Sequence, residues 1–326
     1  MILVTGATGL VGSHLVLQLL LQEQEVVALY RDEANKQRVK KVFDNCQKPT
    51  FFEKINWIQG DILDIPSLEN AFQNIDSVYH CAALISFDPN DEEKLRKTNI
   101  EGTANIVNFC IDYKIKKLCY VSSIAALGDL AAHETIITEE TEWNPETHHS
   151  DYAISKYGAE MEVWRAYQED LDVVIVNPGV ILGPLFWEEG SGDIYKKIKN
   201  GLLFYTNGGT GFVTVNDVVT IMISLMNSSV SGERFTLIAE TLAYEKLTKL
   251  IAEKQNVKAP KYEVSKWITN LAWKLDWLAG LLGKKRMLSK DMARSLHNID
   301  YYDTSKIEKT LGFEFERINT YIQNQN

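Results

Sequence analysis

Tyr152 and Lys156 stand four residues apart in Asp151-Tyr-Ala-Ile-Ser-Lys156, a stretch that opens a helical pattern running to about Glu169. On a helix they share a face. A phenol with an ordinary pKa of about 10 is a poor acid or base at neutral pH, and lowering it by about three units takes about 4 kcal/mol of differential interaction, much of which a neighbouring ammonium supplies. A hydroxyl from Ser123 would polarise the carbonyl oxygen that Tyr152 protonates, giving a general acid with an auxiliary donor. A second group with chemical meaning lies at Gly6, Gly9 and Gly12. Between an apolar run (Ile2 to Thr5) and a helical period through Leu10, Leu15, Leu19 and Leu20, these glycines let backbone pass at positive φ and approach a ligand, with a helix N-terminus behind them for a pyrophosphate.

These residues need a scaffold, and the chain supplies alternating strands and helices. Strands are expected at Glu25–Tyr30, residues 55–63, Ser77–Ala83 and Lys117–Ser123, with helices at Leu68–Phe72 and Asp91–Tyr113 between them. Regular alternation implies an α/β fold of Rossmann type, a doubly wound parallel sheet with ligands at the carboxyl ends of its strands. Gly6, Arg31, Asp61, Ala83 and Ser123 all fall at such ends. The second strand closes on Tyr30-Arg31-Asp32, with Lys36, Arg38, Lys40 and Lys41 following. An arginine here accommodates the 2′-phosphate of NADP(H), which favours it over NAD(H), although Asp32 tempers the choice. Asp61 is placed to accept from an adenine amino group, with Ile62 against the base, and the small Ala82 and Ala83 let backbone approach a cofactor.

Composition narrows the classes. With 326 residues, 45% of them hydrophobic, the chain can bury a large core, and a net charge of −10 without a basic stripe argues against nucleic acid. Cys46, Cys81, Cys110 and Cys119 lack metal-ligand spacing and read as reduced packing residues; no metal is expected. Met1 leads straight into a strand, leaving no room for a cleaved signal, so a cytoplasmic protein is expected.

Taken in order, Gly6-x-x-Gly9-x-x-Gly12, Asp61, Asn99 in Thr-Asn-Ile-Glu-Gly-Thr, Ser123 five residues before Gly128, and Tyr152-x-x-x-Lys156 resemble the extended short-chain dehydrogenase/reductase family over nearly the whole chain. The resemblance implies Tyr152 as acid/base, Lys156 as ribose contact and pKa modulator, Ser123 rather than Ser122 as carbonyl binder, and Asn99 as a helix-distorting member of a proton relay. It implies cofactor contacts at Gly6, Thr8, Gly9, Leu10, Val11, Gly12, Arg31, Arg38, Asp61, Ile62, Ala82, Ala83, Tyr152, Lys156, Pro178 and Val180; Asn177–Pro184 is similar to the family's loop beside the nicotinamide. Tyr30-Arg31-Asp32 with Arg38 looks like the NADP-using dihydroflavonol reductase and 3β-hydroxysteroid dehydrogenase-like branches, not the nucleotide-sugar epimerases. Ile124-Ala125-Ala126 after Ser123 lack the carboxylates of the sugar dehydratases. An NADP-dependent carbonyl reductase or alcohol dehydrogenase follows as the leading expectation, with an epimerase or a non-catalytic NADP-binding regulator as alternatives. A homodimer through the helices holding Asn99 and Tyr152 is likewise implied.

The same resemblance divides the chain into a cofactor domain, residues 1–177 with 212–238 returning to it, and a smaller substrate-binding region, 178–211 and 239–326. Phe87, Leu127, Phe186 and Tyr205 are its candidate wall residues, favouring an apolar or aromatic carbonyl compound. Trp267, Leu271, Leu275, Leu278 and Leu282 form one helical stripe with Thr269 and Asp276 opposite. The run is interrupted by Lys266, Asn270 and Lys274, so no membrane span is expected. Burial of this stripe in the small domain is the expectation.

Overall fold

The computed structural model describes residues 1–186, 192–281 and 288–325. In chain order the first half runs β1 (Ile2–Thr5), α1 (Leu10–Leu21), β2 (Val26–Tyr30), α2 (Lys36–Asn45), β3 (Asn56–Gln59), α3 (Ile65–Ala71), β4 (Ser77–His80), α4 (Glu92–Leu95), α5 (Gly102–Asp112), β5 (Lys117–Val121), α6 (Asp151–Gln168) and β6 (Asp172–Pro178). A π-helical turn, Arg96–Glu101, joins α4 to α5. The second half holds β7 (Val180–Leu182), α7 (Gly192–Lys199), β8 (Phe204–Tyr205), β9 (Gly209–Thr214), α8 (Val215–Met226), β10 (Glu233–Leu237), β11 (Glu240–Ala243), α9 (Tyr244–Lys254), β12 (Tyr262–Glu263), α10 (Lys266–Leu281), α11 (Lys290–Ser295), α12 (Ser305–Leu311) and α13 (Ile318–Asn324).

Seven strands make one parallel sheet in the order β3-β2-β1-β4-β5-β6-β10. Period-two alternation splits each strand between two cores. Val4, Val26, Ala28, Tyr79, Val174 and Val176 face α1, α2 and α8, whereas Leu3, Val27, Leu29, Val78, Leu118 and Ile175 face α3, α5 and α6. Both faces are covered, which is why these strands are almost continuously apolar. The order reverses between β1 and β4, and a crevice opens there at the carboxyl ends. The fold class is the doubly wound α/β sheet that alternation implies.

Beyond Pro178 the pattern changes. Val180–Leu182, expected within a loop, is a strand, and with β9 and β11 it forms a separate three-stranded sheet. Phe212–Thr214 therefore belongs to this small sheet, and the chain re-enters the main one at β10, which pairs with β6. A third core of Leu182, Ile198, Phe212, Leu247, Ile251 and Ile322 holds this part together.

Two expectations need correcting. Cys46 is exposed, unlike Cys110 and Cys119, because it follows α2 at its solvent end; all four thiols are free. The α10 stripe is not buried: Trp267, Leu271, Leu275 and Leu278 are all exposed, and Leu282 lies outside the described residues. The helix docks by its opposite face, where Thr269 Oγ1 meets His297 Nε2 at 2.8 Å and Asp276 accepts from the Leu288 N–H at 3.2 Å. Two polar contacts thus mark the docked face of the helix.

Candidate active site

Gly6 sits at φ +63°, and a Cβ there would lie 2.6 Å from Ala82 N, in the backbone that leaves β4. At Gly12 a Cβ would meet Gly6 O at 2.2 Å. Both glycines are required by backbone packing backbone. Gly9 differs: it is exposed, its added Cβ would meet only Gly6 O at 3.4 Å, and as N-cap of α1 it offers no side-chain acceptor. The N–H groups of Leu10, Val11 and Gly12 have no hydrogen-bond acceptor among the described residues, and the first turn carries no acidic side chain. An uncapped helix end with a bare approach is suited to an anion.

At the end of β5 the two serines part company. The Ser122 hydroxyl donates to Glu160 Oε2 at 2.6 Å, while Ser123 accepts from Ala125 N at 3.1 Å, capping a short turn, and its hydroxyl lies near enough to Tyr152 to pull the phenol pKa down. Tyr152 lies in the first turn of α6, whose N-terminus is capped by Ser150. Burial pushes the phenol pKa up, and the Ser123 hydroxyl opposes this only partly. The sequence expectation that Lys156 lowers it is not met in the chain alone. Lys156, 1% exposed, donates instead to Tyr120 Oη and to Val121 O, each at 2.8 Å. Its own pKa falls to about 7, chiefly through desolvation, with the Glu160 carboxylate opposing. The amine is thus held on the sheet side of α6, below Tyr152.

Beneath these groups runs polar wiring that sequence reading missed. Glu160 is fully buried, pairs with Arg234 at 3.0 Å, and accepts from Asn177 Nδ2 at 2.9 Å; Asn177 also donates to Ser123 O at 3.0 Å. Arg234 reaches on to the carbonyl of Glu139, whose carboxylate accepts from Thr236 N at 2.6 Å. The ends of β5, β6, β10 and α6 are so tied to one carboxylate. The available signal was a glutamate four residues beyond Lys156 on the buried face of α6, beside Ala159 and Val163. On the other side, His80 is fully buried, its Nδ1 2.6 Å from Thr5 Oγ1 and its Nε2 3.0 Å from Thr103 Oγ1, with its ring stacked on Tyr120. Desolvation drives its pKa down to about 3, so it is neutral at all ordinary pH.

Asn99 sits in the π-helical turn, as its helix-distorting part requires. Its carboxamide accepts from Leu84 N at 2.7 Å and donates to Leu84 O at 3.0 Å and Ser155 Oγ at 2.9 Å. With both N–H bonds spent on protein, the side chain clamps the loop after β4 onto α6. Gly158 lets that turn approach, since a Cβ there would lie 2.6 Å from Ile100 Cδ1.

At the far end, Arg31 Nη1 lies 3.7 Å from Asp61 Oδ2, both side chains reaching solvent. Asp32 caps the next turn by accepting from Ala34 N at 3.0 Å, and Lys36 lies over the Tyr30 ring at 3.8 Å while pairing with Glu33. Neither points to the strand end as a free group; Arg38 lies on α2, partly buried. Ile62 is buried with its side chain against Gly102, and its carbonyl accepts from Asn105 Nδ2 at 2.9 Å. Thr8 is partly buried and Ala83 exposed; Pro178 ends β6 and Val180 starts β7. Among the wall residues, Phe87 is exposed with its ring centroid 5.6 Å from that of Tyr152, and Tyr205 is half-buried on β8. Leu127 is buried, and Phe186 packs in the core with Val213 and Val215, so neither presents an open wall. Among the described residues no cluster of His, Cys, Asp or Glu is placed to hold a metal ion, and no helix is long and apolar enough to cross a membrane.

The model of the NAD dependent epimerase/dehydratase family matches residues 2–237. A Synechocystis sp. protein provisionally named as a dihydroflavonol 4-reductase is 30% identical over 319 residues, 95% of this chain and 88% of that protein. Cinnamoyl-CoA reductase CAD2 of Medicago truncatula is 27% identical over 265 residues, 77% of this chain and 79% of that protein. The crystal structure of gox2253 superposes with a TM-score of 0.81 at 25% identity, covering 100% of this chain and 96% of that one. By its sheet, its glycine turn and the span of the family match, the chain belongs to the NAD dependent epimerase/dehydratase family, the extended short-chain dehydrogenases/reductases.

Proposed function

We propose that the chain is an NADP(H)-dependent reductase of a small apolar or aromatic carbonyl compound, working in the cytoplasm as a homodimer through α5 and α6. The observation that carries the reading is the juxtaposition of Ser123, capping the turn after β5, with Tyr152 in the first turn of α6 and Lys156 one turn further along, at the carboxyl ends of the strands. The residues fit the cofactor. The uncapped N-terminus of α1 behind an unobstructed Gly9 suits its pyrophosphate, and Arg31, projecting from the end of β2, suits a 2′-phosphate once it exchanges Asp61 for the stronger anion.

When bound, the nicotinamide supplies the hydride. Tyr152 supplies the proton: burial keeps the phenol protonated, which is the form a donor to a carbonyl oxygen needs. Ser123 holds the same oxygen through its hydroxyl, fixed by the turn that it caps. Lys156, half protonated near neutrality, serves the ribose and assists Tyr152 once the cofactor orders the site, while Asn99 positions the loop after β4 against α6. Phe87 packs at a tilt beside Tyr152 as the apolar wall, and residues 178–211 with 239–326 make up the substrate-binding region. The test is a side-by-side fluorescence titration with NADPH and NADH, followed by a panel of aryl and alkyl aldehydes and ketones. Tighter binding of NADPH and its oxidation by an apolar member of the panel is the expected outcome. Failure to bind either nucleotide, or saturable binding of a nucleotide sugar with no net NADPH consumption, would overturn it.

A further inference from the structure

The exposed face of α10 is the part of the molecule that reductase chemistry leaves unexplained. Trp267 is 68% exposed and Leu275 57%, with Ile268, Leu271, Trp277 and Leu278 exposed alongside them. The helix is amphipathic in the inverted sense, its polar Thr269 and Asp276 turned inward and its large apolar side chains outward. Leu203 on the neighbouring loop, Phe204 on β8 and Tyr262 on β12 are exposed as well, and Phe204 and Tyr262 face each other at 6.1 Å directly before the helix. Water is a poor neighbour for so continuous an apolar surface, and the arrangement requires a covering.

Charge identifies the covering. Among the described residues 257–281 and 288–290, five lysines (Lys258, Lys261, Lys266, Lys274 and Lys290) stand against two carboxylates, Glu263 and Asp276, in a chain whose net charge is −10. Of these two, Asp276 is turned inward to the Leu288 N–H, so the outward arc of α10 carries lysine but no carboxylate. A stripe of Trp and Leu flanked by cationic side chains is suited to the interface of an anionic lipid surface, where the rings and leucines enter the boundary of head groups and acyl chains and the lysines reach the phosphates. An acidic protein otherwise repelled by such a surface would be held on it by this one segment. We propose that α10 docks the protein peripherally, lying in the plane of an anionic membrane without crossing it.

The experiment uses the full chain and vesicles of phosphatidylcholine alone or mixed with phosphatidylglycerol. Co-sedimentation with the mixed vesicles, a blue shift of tryptophan emission, and release by high salt are expected, since exposed charge pairing is screened. The double variant Leu271→Glu/Leu275→Glu alters only exposed positions; it should keep the far-UV circular dichroism and thermal melt of the wild type and bind the mixed vesicles at least about tenfold more weakly. Lys266→Gln/Lys274→Gln should weaken binding to the mixed vesicles and leave the weaker binding to phosphatidylcholine unchanged. Absence of wild-type co-sedimentation, or unchanged binding by the glutamate variant, would overturn the inference. So would a concentration-dependent dimer in light scattering that the glutamate variant dissolves, because the stripe would then be covered by a second copy.

Discussion

The region around Tyr152 and Lys156, where the proposed function puts the nicotinamide, and the region around Arg31 and Asp61, where it puts the adenosine, are built on opposite principles. Around Tyr152 and Lys156 the polar groups are largely buried and bonded to one another, Glu160 to Arg234 on one side and His80 to Thr5 and Thr103 on the other. At the other end the charged contacts reach solvent: Arg31 meets Asp61 at 3.7 Å, and Lys36 pairs with the exposed Glu33 at 2.9 Å. Buried polar networks are strong when complete and costly when broken, whereas exposed ion pairs are worth about 0–1 kcal/mol and are screened by salt. Under the proposed function, the chemistry would be fixed by the fold and the choice of cofactor set by groups that move at little cost.

The largest effect should come from breaking the buried end. Lys156→Met should lower the rate of carbonyl reduction by about 10²–10⁴-fold, the span of a lost acid/base assembly, measured as NADPH oxidation at saturating cofactor. Its stability signature has a definite sign. The amine binds its proton less readily in the folded chain, with a pKa of about 7, than in the unfolded one, so its contribution to stability is fully present above the unfolded value of about 10.5 and declines as pH falls towards 7. The difference in melting temperature, wild type minus Lys156→Met, should accordingly grow between pH 7 and pH 10, by up to about 1.4 kcal/mol per pH unit of underlying free energy. A difference independent of pH would contradict the depressed amine.

Next in size are the glycines. Gly12→Ala places a Cβ 2.2 Å from Gly6 O and should cost at least the upper end of about 1–3 kcal/mol for overpacking, read as a drop in melting temperature. Gly9→Ala meets only an ordinary contact at 3.4 Å and should melt near the wild type while binding NADPH more weakly in fluorescence titration. Equal effects of the two on stability would erase the distinction between a glycine required by the protein and one kept for a ligand. Smallest is Arg31→Ala, which should weaken NADPH by about tenfold or less and leave NADH almost unchanged, with the difference shrinking as salt rises.

How much of this was legible in the sequence follows from the range of the interactions. The sheet could be read because strand alternation and glycine spacing are local, and the Ser123, Tyr152 and Lys156 set because two of its members share a helix. Glu160 was within reach, a carboxylate on an apolar helix face, but its partner Arg234 lies 74 residues away and no local pattern names it. Lys156 was expected to turn its charge on Tyr152; it finds Tyr120 and Val121 instead, because the end of β5 passes beneath α6. Periodicity located the stripe of α10 and not its direction, which the Thr269–His297 contact marks.

The central claim, that Tyr152 delivers the proton while the fold holds the site around it, is met most directly by single-turnover oxidation of bound NADPH by a reactive aryl ketone in the wild type and in Tyr152→Phe. The account predicts that the variant binds NADPH as tightly as the wild type and that its oxidation step slows by about 10²–10⁴-fold. An undiminished rate in Tyr152→Phe would contradict it.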